Sequence, residues 1–210
     1  MNIPQYLAIA ALCTITFAIT SPAADTDKIE ATDAARIDGS ASAIFAGGCF
    51  WCIEADFEKL PGVIEAESGY IGGHLENPTY KQVSGGGTGH AEVARVYYDP
   101  TMVTYKQLLD HFWRHIDPTV KDRQFCDVGN QYRSAIFYQN DEEKATALAS
   151  KAELVKSGMF AQIHTEIAQA GTFYRAEEYH QDYYKKNPLR YKFYRTTCRR
   201  DSRVAEVWGT

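Results

Sequence analysis

Two thiols three residues apart, Cys49 and Cys52, follow the glycine pair Gly47-Gly48. They open a stretch with Phe50, Ile53, Phe57 and Leu60 at helical spacing. A strand that ends in two glycines would deliver Cys49 to the first turn of that helix. Unpaired backbone N–H groups and the helix dipole favour an anion there, which lowers a thiol pKa toward the reactive range. The glycines would let a substrate approach the backbone. The expected chemistry is that of a nucleophilic or redox thiol. From the motif alone, a thioredoxin-like disulfide exchanger and a pair of structural disulfides both stay open. A c-type haem site is excluded because Ile53, not His, follows Cys52. A four-cysteine zinc site would want a second close pair, and Cys126 and Cys198 are far apart.

The elements that must hold these thiols are legible as an alternation of strands and helices. Strands are expected over 42–46, 63–71, 90–98, 132–138 and 163–169. Helices are expected over 49–60, 104–116, 141–157 and 177–186, the second opened by a Thr104–Gln107 capping-box pattern. Residues 74–89 and 117–131 read as long loops, a length that often carries function. From Leu189 the chain reads as an aromatic, basic tail with Cys198 inside it. Hairpin-like and crossover steps are mixed, so the expected fold class is α+β, a two-layer α/β sandwich with a mixed sheet.

The chain has 210 residues, a net charge of −5 and 13% aromatic content. That size predicts one domain with a sizeable core. The mild acidity argues against a nucleic-acid binder, and the aromatic content against a disordered chain. No charged side chain precedes Asp25, and Leu7 to Ile19 form an apolar run too short to span a membrane. Ser21-Pro22-Ala23 supplies a cleavage pattern. Residues 1–23 therefore read as a signal peptide, 24–41 as a flexible lead and 42–210 as the working domain. An uncleaved anchor is the alternative. Cys13 would leave with the signal, and the other four cysteines would work in the periplasm or outside the cell, where disulfides persist.

Beyond the thiols, a series of motifs resembles the A-type peptide methionine sulfoxide reductases. It comprises Gly47-Gly48-Cys49-Phe50-Trp51, Ser68-Gly69-Tyr70 with Gly72-Gly73, Asn77-Pro78-Thr79-Tyr80, and Thr88-Gly89-His90-Ala91-Glu92-Val93. Tyr98-Asp99-Pro100, Asp127-Val128-Gly129, Gln131-Tyr132-Arg133-Ser134-Ala135-Ile136, Glu178-Tyr179-His180-Gln181 and Lys186-Asn187-Pro188 complete it. The resemblance covers roughly residues 42–209. It implies a sandwich related to the ferredoxin-like class and a monomeric enzyme that reduces the S epimer of methionine sulfoxide, free or in proteins and peptides.

The same resemblance implies the residue roles. Cys49 would be the nucleophile and Glu92 the acid, kept partly protonated by an apolar pocket. Tyr80 and Tyr132 would hydrogen-bond the sulfoxide oxygen, Asp127 would hold the polar network, and Phe50 and Trp51 would form the pocket for the S-methyl group. Tyr179 and His180 would support the site. Attack leaves Cys49 as a sulfenic acid, which a second thiol must resolve. Cys198, on a mobile tail beside Arg199 and Arg200, and Cys52 both qualify, and a relay through both is compatible. Cys126 stands where the family commonly has Asn and is left without a task. No metal, nucleotide or flavin is expected, since no Rossmann fingerprint or phosphate loop is present. Regeneration would instead need an external thioredoxin-like dithiol.

Overall fold

The computed structural model describes Met1 and residues 39–209. The expected signal peptide, Cys13 and most of the lead over 24–41 lie outside the described residues. Strand β1 (Ala41–Gly47) begins on the last residue of that expected lead, one before the expected strand. It is followed by α1 (Phe50–Phe57), β2 (Val63–Ile71), α2 (Tyr80–Ser84), β3 (Ala91–Tyr98), α3 (Tyr105–Trp113), and the two-residue strands β4 (Arg123–Gln124) and β5 (Asp127–Val128). Then come β6 (Ser134–Tyr138), α4 (Asp141–Lys156), β7 (Glu166–Gln169), β8 (Tyr174–Arg175), α5 (Tyr183–Lys186), α6 (Pro188–Thr197) and α7 (Arg200–Trp208).

Six strands form one sheet in the order β7-β6-β1-β3-β2-β8, and β4 pairs with β5 separately. All neighbours in the large sheet run antiparallel except β6 and β7. Its centre, β6-β1-β3-β2, joined by crossovers through α1 and α3, is the ferredoxin-like arrangement. The alternation of side chains along a strand divides the core. Phe45, Ala94 and Val96 face Ile53, Phe57, Leu108, Phe112 and Trp208. Ile44, Ala46, Val93 and Phe137 face the other way, toward Ala168, Ala170 and Phe173. Phe45 lies between Phe57 and Phe112, at ring-centroid distances of 4.8 and 5.1 Å. Burying a ring of this kind stabilises by about 2–3 kcal/mol. The capping box of α3 forms as expected, with the Thr104 N–H donating to Gln107 Oε1 at 2.8 Å.

Three expectations change. The loop over 74–89 contains α2, whose own capping box, Thr79 N–H to Gln82 Oε1 at 2.9 Å, makes Tyr80 its first helical residue. The helix expected over 177–186 is broken. Asp182 adopts a left-handed backbone conformation (φ 53°) and donates its N–H to Glu54 Oε1. Its neighbour Gln181 instead docks on β2, accepting from Ser68 N–H at 2.9 Å and donating to Ser68 O at 3.0 Å. Finally, the segment from Leu189 is not a mobile tail. Pro188 starts α6, α7 follows, and Trp208 and Arg200 are buried. Among the described residues no helix is long and apolar enough to cross a membrane.

Candidate active site

β1 ends at Gly47, and Gly48 turns the chain at φ 88° so that Cys49 is the N-cap residue of α1. A Cβ at Gly47 would stand 2.3 Å from Ile53 Cδ1, and one at Gly48 would stand 2.6 Å from Gln124 Cβ. The glycines therefore let the turn pack against the protein itself. The space expected to serve a substrate is filled by Ile53 and Gln124.

The first-turn N–H of Phe50 donates to Glu92 Oε2 at 3.1 Å, so a donor expected to favour a thiolate serves a carboxyl instead. Cys49 is 6% exposed. Burial pushes its thiol well above the ordinary range, and its hydrogen bond with Cys52 and the charges of Cys52, Glu92 and Asp127 act in the same direction. The expected lowering at Cys49 is thus corrected: desolvation outweighs the helix start. Cys52 moves down instead. The hydrogen bond from Cys49 favours its thiolate against burial, with help from the Arg200 and Arg195 guanidinium groups.

Glu92 lies on β3 opposite Tyr70 of β2 and is 2% exposed. Burial pushes its carboxyl up to about 8, against the Phe50 hydrogen bond, with Asp127 and Cys52 adding to the rise. It is therefore largely protonated at neutral pH. Tyr80 opens α2, and Tyr132 ends a short 3-10 turn before β6. Both phenols are pushed up by burial first and by Glu92 second, and both feel Cys49 and Asp127. Asp127, on β5, is raised by burial and steadied by Tyr194, whose OH donates to Asp127 Oδ2 at 2.6 Å. Cys49, Glu92, Tyr80, Tyr132 and Asp127, scattered over more than eighty positions, thus face one pocket.

Phe50 and Trp51 form its aromatic wall. Phe50 packs on Tyr70, Tyr80 and His180, with centroids 5.8, 6.3 and 4.9 Å away. Trp51 stacks on Tyr183 at 3.7 Å and donates its Nε1–H to His180 Nδ1 at 3.0 Å. Burial holds His180 down at about 4, so it stays neutral and can accept that bond. Glu177 braces the wall from outside, accepting from Tyr70 OH at 2.9 Å and Tyr80 N–H at 2.8 Å. Those bonds keep its carboxyl below the usual range despite burial.

Sequence reasoning missed Tyr194, Glu177 and Glu54, and gave Arg200 a different place. Tyr191, Tyr194 and Cys198 recur at helical spacing after Pro188, a start signal that would have placed Tyr194 on a helix face. The buried polar partners carry no comparable signal. Arg200 was expected to favour a Cys198 thiolate. It turns inward, donating to Gly47 O at 3.1 Å and His115 O at 2.9 Å, and its charge acts on Cys52. Cys198 itself is joined to Cys126 by a disulfide, which gives Cys126 a partner and removes Cys198 from the free thiols. Cys49 and Cys52 are free and buried.

Residues 41–210 match the family described as peptide methionine sulfoxide reductase. MsrA of Bacillus subtilis (strain 168) is 49% identical over 168 residues, which are 80% of this chain and 95% of that protein. The MsrA/MsrB protein of Vibrio cholerae is 53% identical over 168 residues, again 80% of this chain, but the match spans 44% of that longer protein. The crystal structure of Mxr1 from Saccharomyces cerevisiae in reduced form is similar with a TM-score of 0.67 at 36% identity, covering 71% of this chain and 87% of that one. On a match that takes in the whole sheet and every group around the pocket, the chain belongs to the peptide methionine sulfoxide reductase family.

Proposed function

We propose that this chain repairs oxidised proteins and peptides by reducing methionine S-sulfoxide to methionine, with Cys49 as the nucleophile and Glu92 as the acid. Cys49 Sγ attacks the sulfoxide sulfur, Glu92 protonates the oxygen, and the oxygen passes to Cys49 as a sulfenic acid while the thioether leaves. The proton lost by the thiol restores Glu92, so no net charge builds up in the buried pocket. The observation that carries this reading is the bond from Phe50 N–H, the residue after Cys49, to the buried Glu92 carboxyl, which sets acid beside thiol where burial keeps both protonated. A neutral exchange between them avoids stranding a charge away from water. The Tyr80 and Tyr132 hydroxyls are donors for the sulfoxide oxygen, Phe50 and Trp51 enclose the S-methyl group, and Asp127 orders the network with Tyr194.

Cys52 then attacks the sulfenic acid, forming the Cys49–Cys52 disulfide and water. Its position three residues on in the first turn of α1, and its lowered thiol pKa, support it over Cys198 as the first resolving thiol. An external thioredoxin-like dithiol returns the enzyme to its reduced form, since every oxidising equivalent ends in a disulfide. The apolar run Leu7–Ile19, followed by Ser21-Pro22-Ala23, supports work outside the cytoplasm. All groups in this scheme come from one chain, which supports action as a monomer.

A single-turnover assay with a methionine S-sulfoxide peptide tests the scheme. Reduced wild-type protein is expected to form methionine, and Cys49→Ser none. Equal product from both would remove Cys49 from the mechanism.

A further inference from the structure

The four thiols of the domain fall into two pairs with opposite access. Cys49 and Cys52 are 6% and 2% exposed, enclosed by Phe50, Trp51, Tyr183 and Tyr194. A disulfide between them would lie behind those side chains, away from the surface a protein dithiol meets. Cys126 is exposed, and Cys198 stands in the wall of an open cleft of about 360 Å³ with Phe125, Arg123, Arg199 and Arg203. The pair joined in the structure is the accessible one, and the pair that meets substrate is the inaccessible one.

We infer that Cys126 is the terminal redox thiol of the enzyme, and that Cys126–Cys198 is the disulfide an external protein dithiol reduces. This rests on the sulfoxide-reducing reading above. Cys198 is placed to connect the pairs. Tyr194, one helical turn before it, packs among both Cys49 and Cys52. Arg200, two residues after it, bonds to Gly47 O in the turn that presents Cys49. Arg199 between them is left-handed (φ 54°) and joins α6 to α7, so a change of backbone angle at this junction can move Cys198 between the two sides.

The exchange balances. Cys198, as thiolate, attacks Cys52 Sγ and breaks the Cys49–Cys52 bond, and Cys49 leaves and takes up a proton. Cys126 then attacks Cys198 Sγ, forming Cys126–Cys198 and releasing Cys52. The external dithiol attacks the exposed Cys126 Sγ and releases Cys198. Its second thiol closes its own disulfide, freeing Cys126. Two electrons pass inward, and the partner leaves oxidised.

The test uses the full chain, fully reduced, freed of reductant under anaerobic conditions and given excess methionine S-sulfoxide peptide. Disulfides are mapped by alkylation and digestion. The expected result is two methionines per chain. At one methionine per chain the digest contains Cys126–Cys198, with Cys49 and Cys52 alkylated as thiols. Cys126→Ser is expected to stall before the last exchange, with Cys52 joined to Cys49 or to Cys198. With thioredoxin, its reductase and NADPH as the electron source, it loses about tenfold or more in turnover. Wild-type protein that stops at one methionine with Cys49–Cys52 joined, or a Cys126→Ser turnover equal to wild type with thioredoxin, overturns the inference and leaves the function standing. No methionine from wild type at all overturns both.

Discussion

The pocket is built by two regions that treat carboxyl groups in opposite ways. The sheet side, from β1, α1 and β3, presents Glu92 with a single backbone donor, Phe50 N–H, and burial pushes it up to about 8. The C-terminal side, from β8 onward, presents Glu177 with donors from Tyr70 and Tyr80, and its carboxyl lies below the usual range. Both stand against the same aromatic wall. Glu92 is fully enclosed and Glu177 only half-buried, so burial dominates at the first and the two donors win at the second. The region that does chemistry is left short of hydrogen bonds, and the region that braces it is well supplied.

Four outcomes would break or sharpen that contrast. Glu92→Gln keeps the shape and removes the proton, so sulfenic acid formation is expected to fall by about 10²–10⁴-fold in single turnover. A rate near wild type would make Glu92 part of the bracing instead. In wild type the same rate is expected to decline as pH rises through about 8, where Glu92 ionises. The Glu92→Gln profile should lack that step. Tyr194→Phe takes the hydrogen bond from Asp127, and a loss of about tenfold in turnover is expected, since a bond to a charged group contributes about 1.5–3 kcal/mol. An unchanged rate would confine the donor-rich region to packing.

The smallest effect concerns stability. Glu54 is buried, and desolvation raises it to about 8 despite bonds from Ser68 Oγ and Asp182 N–H. Its folded pKa exceeds its unfolded value, so the folded state holds the proton more tightly. The resulting contribution to stability is complete below the ordinary carboxylate range and is lost as pH rises through about 8. Urea midpoints of wild type are expected to fall across that window, and those of Glu54→Gln to fall less. Parallel curves would mean that Glu54 is not the buried acid responsible.

The division between the regions also marks what could be read from the sequence. On the sheet side, strands alternate and helices repeat at their own periods, so Phe45, Val96 and Phe112 declare which face they bury. The Gly47–Trp51 motif likewise announces a nucleophile at a helix start. The protonation of that nucleophile was not legible, because it depends first on how side chains distant in sequence bury it, then on Cys52, with Glu92 and Asp127 adding least. On the C-terminal side the helical repeat of Tyr191, Tyr194 and Cys198 was hidden by many charges, and the segment read as a tail. The break at Asp182 depends on Glu54, more than a hundred residues away, and no local pattern encodes it. Cys126 could not be paired from spacing alone, since four cysteines permit three pairings.

Arg200 reaches back to the carbonyl of Gly47, 153 positions earlier, and to Asp56 within α1. The turn that presents the nucleophile is therefore completed by a residue synthesised long after it. A nascent chain carries Cys49 long before it can hold it in place. A chain cut short before Arg200 would keep its sheet motifs while its catalytic turn stayed unlatched.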